Sequence, residues 1–129
     1  MMTSRALKAY GNTALENEVD AASPHKLIAL LYDGAIQSVE RAKLHIERDE
    51  IPQKCEAISR ATAILDQGLA GVLDMEAGGE LSQNLRALYQ YMTNRLVQAN
   101  IRNDVAALDE VSKLLAELSS AWAAIAPNR

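Results

Sequence analysis

The chain has 129 residues, 49% of them apolar, enough for one domain with its own core and no reason to expect two. Thirteen Lys and Arg against seventeen Asp and Glu give a formal charge of −4. They are spread without a basic stripe, which argues against nucleic acid as the main partner, since phosphate neutralisation needs clustered cations.

One Trp, four Tyr and no Phe leave Leu, Ile, Val, Ala and Met to build the core, which suits helix-on-helix packing better than a β-sandwich. Cys55 is the single cysteine, so no internal disulfide forms, and a reducing compartment is compatible. Met1 to Tyr10 carries Arg5 and Lys8 but no apolar run of signal-peptide length. No stretch approaches the roughly 20 apolar residues of a membrane span. A cytoplasmic protein without membrane insertion is expected.

In chain order, residues 1–22 form a polar segment in which Leu7, Tyr10, Leu15 and Val19 are scattered and Gly11-Asn12 interrupts any long helix. Ser23-Pro24 reads as a helix start, with Ser as N-cap and Pro at the first helical position. From there Ile28, Leu31, Ala35, Val39, Ala42 and Ile46 recur every three or four residues. The period runs through Asp33-Gly34, so Gly34 reads as a mid-helix close contact and not as a turn.

After the polar break Arg48-Asp49-Glu50, Pro52 opens a second pattern: Cys55, Ile58, Thr62, Leu65, Leu69, Val72 and Met75. Its neighbouring face, Ala57, Ala61, Ile64, Gly68 and Gly71, is a strip of mostly small residues. Gly78-Gly79 breaks the chain, and Glu80 puts a negative charge in the next first turn, where the helix dipole favours it. The third pattern is Leu81, Leu85, Leu88, Met92, Leu96 and Ala99. Asn103 is the candidate N-cap of the fourth, Leu108, Val111, Leu115, Leu118, Trp122 and Ile125, which Pro127 closes. Helices of about 20–25 residues joined by short connections must lie antiparallel. The expected fold is all-α, an up-down four-helix bundle over 23–129 with a mobile, weakly docked segment over 1–22.

Tests for chemistry come back empty. Neither His25 nor His45 has a Glu three positions earlier, so no di-iron pair forms. Gly78-Gly79 lacks the Gly-Lys-Ser/Thr of a phosphate loop. Both histidines read as solvated, and Cys55, on the apolar stripe, as a small buried hydrophobe. No catalytic residue, metal or cofactor is expected. What remains is binding. Tyr89, Tyr91 and Val97 on the third helix, and Val105, Leu114 and Ala121 on the fourth, are apolar beyond the seam. Such surplus marks a partner groove or a widened core stripe. The Ala/Gly strip has the same two readings: a groove for a foreign helix, or a close approach of a neighbouring one.

Several runs also occur together in one order: Ala9-Tyr10, Ala22-Ser23-Pro24, Leu30-Leu31-Tyr32-Asp33-Gly34-Ala35, Gly78-Gly79-Glu80, Asn84-Leu85, Leu88-Tyr89-x-Tyr91-Met92, Ala99-Asn100 and Leu118-x-x-x-Trp122. The ordered set, from about Tyr10 to Ile125, resembles the FliS family of flagellar secretion chaperones. The resemblance implies a non-enzymatic helical bundle. It would bind the disordered C-terminal region of flagellin, prevent its premature polymerisation and assist its delivery to the export gate component FlhA. Other flagellar regulators are further candidate partners.

On this expectation flagellin lies on Ile64, Gly68 and Gly71 of the second helix and on Tyr89 and Leu114 of the third and fourth. Asn100 is either a local helix cap or a hydrogen-bond donor to the ligand. Leu7 and Tyr10 are the expected export-gate contacts, in a segment that covers an apolar groove until flagellin displaces it. The alternative is a four-helix adaptor for an amphipathic helix of another partner.

Overall fold

Ser23 closes the first turn of the first helix: its Oγ accepts the Lys26 N–H at 3.1 Å, and Pro24 follows in the first helical position. The structure, a computed structural model, describes residues 23–126. Helix α1 spans Pro24–Glu47 and runs unbroken through Asp33-Gly34, with Gly34 buried. Its inward stripe is Leu27, Leu31, Tyr32, Ala35, Val39 and Ala42, each 4% exposed or less. Asp49, at φ 56°, reverses the chain, and His45 Nδ1 meets Glu50 Oε1 across the turn at 2.8 Å.

Helix α2 spans Ile51–Ala63 with Pro52 in its first turn. Here the expected single pattern through Met75 is corrected. The chain widens into a π-helical stretch, Ile64–Leu69, in which the Ala70 N–H reaches back to the Leu65 carbonyl, and then tightens into a 3₁₀ turn, Ala70–Val72. Ile64, Leu65, Gly68 and Leu69 are all buried. The cause is tertiary, because this stretch packs against α1 on one side and the third helix on the other.

The following loop is tied at Asp74. Its Oδ1 accepts the Ala77 N–H at 2.9 Å, and its carbonyl accepts from the Gly78 N–H and the Ser82 hydroxyl, both at 2.9 Å. A Cβ on Gly78 would collide with Ser82 Oγ and stand 2.8 Å from that carbonyl, so only glycine fits. Helix α3 spans Gly79–Arg102. Because Ser82 is drawn inward, Leu81, expected in the core stripe, is 66% exposed.

Helix α4 spans Val105–Ala124, and its N-cap is Asp104, whose side chain accepts the Ala107 N–H at 3.2 Å. Asn103, expected to cap α4, instead ends α3 in the left-handed conformation at φ 52°. Asn tolerates that backbone, while the extended Asp104 suits an N-cap. Ile125 falls beyond α4 and is 67% exposed, so the fourth seam ends at Trp122. Pro127 lies outside the described residues.

The four helices pack together, each on its two neighbours in the ring α1-α2-α3-α4. Cross-helix contacts set the directions. His25 meets Trp122 and Lys43 meets Asp109, so α1 and α4 are antiparallel. Lys54 meets Asn100 and Asn103, so α2 and α3 are too. The core is aliphatic, centred on Leu27, Leu31, Leu65, Met92, Leu96 and Leu115, each contributing about 1.5–3 kcal/mol by burial. The segment 1–22 lies outside the described residues.

Candidate functional site

The helices differ in what they show to solvent. The exposed face of α1 carries Asp33, Glu40, Arg41 and Glu47, and that of α4 carries Asp109, Lys113 and Glu117. Opposite its core stripe, α3 shows Gln83, Ala87, Gln90, Asn94, Val97, Gln98 and Ile101, all exposed and none ionised. Ile101 is 77% exposed, Val97 48% and the adjoining Tyr91 44%. An exposed apolar residue alone is ordinary. Several on a helix face that carries no ion between Glu80 in its first turn and Arg102 at its end, with Arg86 on its flank, match the centre of a protein interface, where ionised residues are depleted.

Beside this face runs a groove between α3 and the π-helical and 3₁₀ stretch. Two adjoining hollows form it. The outer is lined by Met75, Gln83, Arg86, Ala87 and Gln90, and the inner by Asp66, Ala70, Arg86, Tyr89, Gln90 and Thr93. The change from α- to π- to 3₁₀-helix shapes one wall. Such interruptions recur at functional sites because they re-aim side chains that a regular helix would bury.

The predicted contact residues divide. Ile64 is fully buried. Gly68 is buried under Leu31, whose Cδ2 would lie 3.1 Å from an added Cβ, so this part of the strip is a close approach of α1. Gly71 is exposed, and a Cβ added there would meet only the Asp66 carbonyl, at 3.9 Å. Tyr89, expected to face outward, is corrected: it is 3% exposed, at the inner end of the groove, with its hydroxyl 2.6 Å from that of Tyr32. Leu114 is half-buried against the core and widens its stripe, with part of its side chain still open.

Asn100 lies about 16 Å farther along α3 at 1.5 Å per residue. It does not cap the helix, since Asn103 does. Its Oδ1 accepts from the Cys55 thiol at 3.4 Å and its carbonyl from Lys54 Nζ at 2.8 Å. Thus Tyr89 lines the groove, Gly71 is exposed next in the chain to its lining residue Ala70, Ile64 and Gly68 belong to the core of the stretch that walls it, and Leu114 and Asn100 stand apart. Leu7 and Tyr10 lie outside the described residues.

Sequence reasoning missed the polar ties that hold these surfaces. Lys54 is only 4% exposed, and its Nζ also donates to Asn103 Oδ1 at 2.7 Å, a cation at the C-terminal end of α3 where the dipole favours it. Cys55 is half-buried and hydrogen-bonded, not a plain apolar filler. Glu110 of α4 accepts from the Tyr91 hydroxyl and, at 2.7 Å, from Arg95 Nε. Those two bonds hold its carboxyl below the usual carboxylate range, the tyrosine bond contributing most.

Nor is His25 simply solvated. Its ring stacks on Trp122 at 4.6 Å and 11°, its Nε2 donates to the Trp122 carbonyl at 2.8 Å, and Trp122 Nε1 donates to the His25 carbonyl at 2.9 Å. Helical phase is the signal that could have found Arg86, which it puts on the flank of α3. Nothing in the sequence pairs residues 97 positions apart.

Among the described residues no group of three or more His, Cys, Asp or Glu could hold a metal ion, and no helix is long and apolar enough to cross a membrane. Comparison with known proteins supplies the remaining finding. Residues 6–129 match the family model for the flagellar protein FliS. The chain is 46% identical over 128 residues to the flagellar secretion chaperone FliS of Salmonella typhimurium, covering 99% of this chain and 95% of that protein. It is 45% identical over 122 residues to the flagellar secretion chaperone FliSB of Pseudomonas aeruginosa, covering 95% and 96%. Against the Escherichia coli flagellar secretion chaperone FliS the identity is 39% over 122 residues, covering 95% and 90%.

Proposed function

This chain belongs to the FliS family of flagellar secretion chaperones, and from that premise we propose that it binds the C-terminal region of flagellin in the cytoplasm, keeps it from polymerising early and assists its delivery to the export gate component FlhA. The family works by binding and is not enzymatic.

The observation that carries the finer reading is the outward face of α3, free of ions from Gln83 to Ile101, with the groove alongside it. A disordered tail that forms an amphipathic helix can lay its apolar side on such a face. Folding on binding costs a few kcal/mol, so a long wrapped contact is expected in place of one deep pocket. Gly71 and the mouth above Tyr89 would be central to it. An extended ligand would reach Leu114 and Asn100 at separate points, while Ile64 and Gly68 would support the wall from within. In the same proposal the segment containing Leu7 and Tyr10 covers apolar surface in the free chaperone and engages the gate once flagellin displaces it.

Calorimetry and circular dichroism with full-length and tail-deleted flagellin test this reading. The full-length protein should bind with a gain of helical signal, and the tail-deleted form should not bind. Undiminished affinity for the tail-deleted form overturns it.

A further inference from the structure

Arg86 lines both hollows of the groove, on the wall supplied by α3. Most other cations of the bundle that face a neighbouring helix are already engaged: Arg95 by Glu110 and Gln98, Lys43 by Asp109 and Glu40, Lys54 by Asn100 and Asn103. Among the described residues, Arg86 makes no hydrogen bond or ion pair. Its helical neighbours at three and four positions are Ser82, Gln83, Tyr89 and Gln90, none of which can neutralise it. The only acid of α3 is Glu80, in the first turn. Asp66 lines the inner hollow but forms no ion pair with Arg86, and in the outer hollow Arg86 is the one ionised lining residue, among Met75, Ala87 and two glutamines.

A guanidinium left without a carboxylate beside apolar and amide surface is complementary to an acid on an otherwise apolar strand or helix, which it can take in a two-pronged hydrogen bond. We infer that Arg86 is a specificity-determining residue of the chaperone: it receives an Asp or Glu side chain of the bound flagellin segment and so sets the register in which that segment lies in the groove. The inference rests on the binding reading above and adds the chemistry of one contact to it. Because the site is open to solvent, the contact acts through steering and register more than through raw affinity, and salt screens it.

The test uses the full-length chaperone, the flagellin C-terminal region as a peptide, and calorimetry at low and high salt. Arg86→Glu should lower affinity roughly tenfold at low salt, Arg86→Lys should fall between it and the unmodified protein because lysine keeps the charge but not the two-pronged bond, and the gaps should narrow as salt screens the site. Changing the acidic residues of the peptide to lysine one at a time should find one that restores binding to Arg86→Glu. Unchanged melting by circular dichroism would establish that the variants fold. Equal affinity of Arg86→Glu and the unmodified chaperone at low salt overturns the inference, as does a loss that no acid-to-lysine change in the peptide repairs. Failure of the unmodified chaperone to bind the peptide overturns instead the reading on which the inference rests.

Discussion

The hydroxyls of Tyr32 and Tyr89 meet at 2.6 Å in the interior, joining α1 to α3, helices that share little direct packing. Tyr32 is 4% and Tyr89 3% exposed, so each oxygen relies on the other for the partner that water would supply in the unfolded chain. Either Tyr32→Phe or Tyr89→Phe strands one buried hydroxyl and should cost about 1–3 kcal/mol. The double change to Phe removes both polar groups and should cost less than the two single changes together. Urea unfolding of the four proteins checks this, and strict additivity would contradict it.

The same pair makes the fold sensitive to alkali. Burial first, and for Tyr89 the bond to Tyr32 as well, pushes both phenols above the ordinary tyrosine range. In the unfolded chain these phenols ionise near the usual value of about 10. The folded state therefore holds more protons above that pH, and its stability falls as pH rises. The contribution is fully present below about pH 10 and is lost above it. Urea midpoints measured from pH 8 to 11 should show the loss, and the double Phe variant should show a shallower one.

The stacked pair His25 and Trp122 closes α1 onto α4 with two reciprocal hydrogen bonds. Trp122→Phe keeps a ring for stacking but loses the indole donor, a cost of about 1 kcal/mol. His25→Ala loses the stack and the ring donor, worth about 0.5–1.5 kcal/mol beyond area. Hydrogen exchange should rise in the last turn of α4 in both variants, while amides at the α1–α2 turn, at the other end of the bundle, stay protected.

Gly68 and Gly71 stand three positions apart and should respond oppositely. A side chain at Gly68 drives into Leu31, itself fully buried, so Gly68→Leu should overpack the core at a cost of about 1–3 kcal/mol or more. Gly71 opens to solvent beside the groove residue Ala70, so Gly71→Leu should leave the melting temperature nearly unchanged and weaken flagellin binding. Thermal melts and calorimetry on the two variants separate folding from binding. If Gly71→Leu unfolds the chain, that end of the strip is an internal contact as well.

Much of this architecture was legible in advance. Ser23-Pro24, the pair Gly78-Gly79 and the three-and-four spacing of Leu31, Ala35, Val39 and Ala42 announce helices because capping chemistry and helical phase act over one or two turns. The ordered runs from Ala9-Tyr10 to Trp122 carried the family. Asn103 shows the limit at close range. An Asn suits either end of a helix, and only the left-handed backbone at φ 52° assigns it to the end of α3 and hands the cap of α4 to Asp104.

The candidate surface was legible only in part. Tyr89 looked surplus to the third stripe, yet its place is inside, because Tyr32 supplies a hydroxyl from 57 positions away. The π-helical turn at Ile64–Leu69 was invisible because α1 and α3 enclose that stretch from both sides, and no local propensity encodes this. Lys54 reads as a surface lysine until the end of α3 arrives over it, 46 positions later. The sequence by itself determined the four helices, their antiparallel succession and the family, since each follows from short-range spacing or from ordered motifs. The tertiary structure decided which residues are buried partners and which are left open, Tyr89 and Gly68 within, Gly71 and Arg86 without. Burial depends on what packs above a residue, and here that comes from distant parts of the chain.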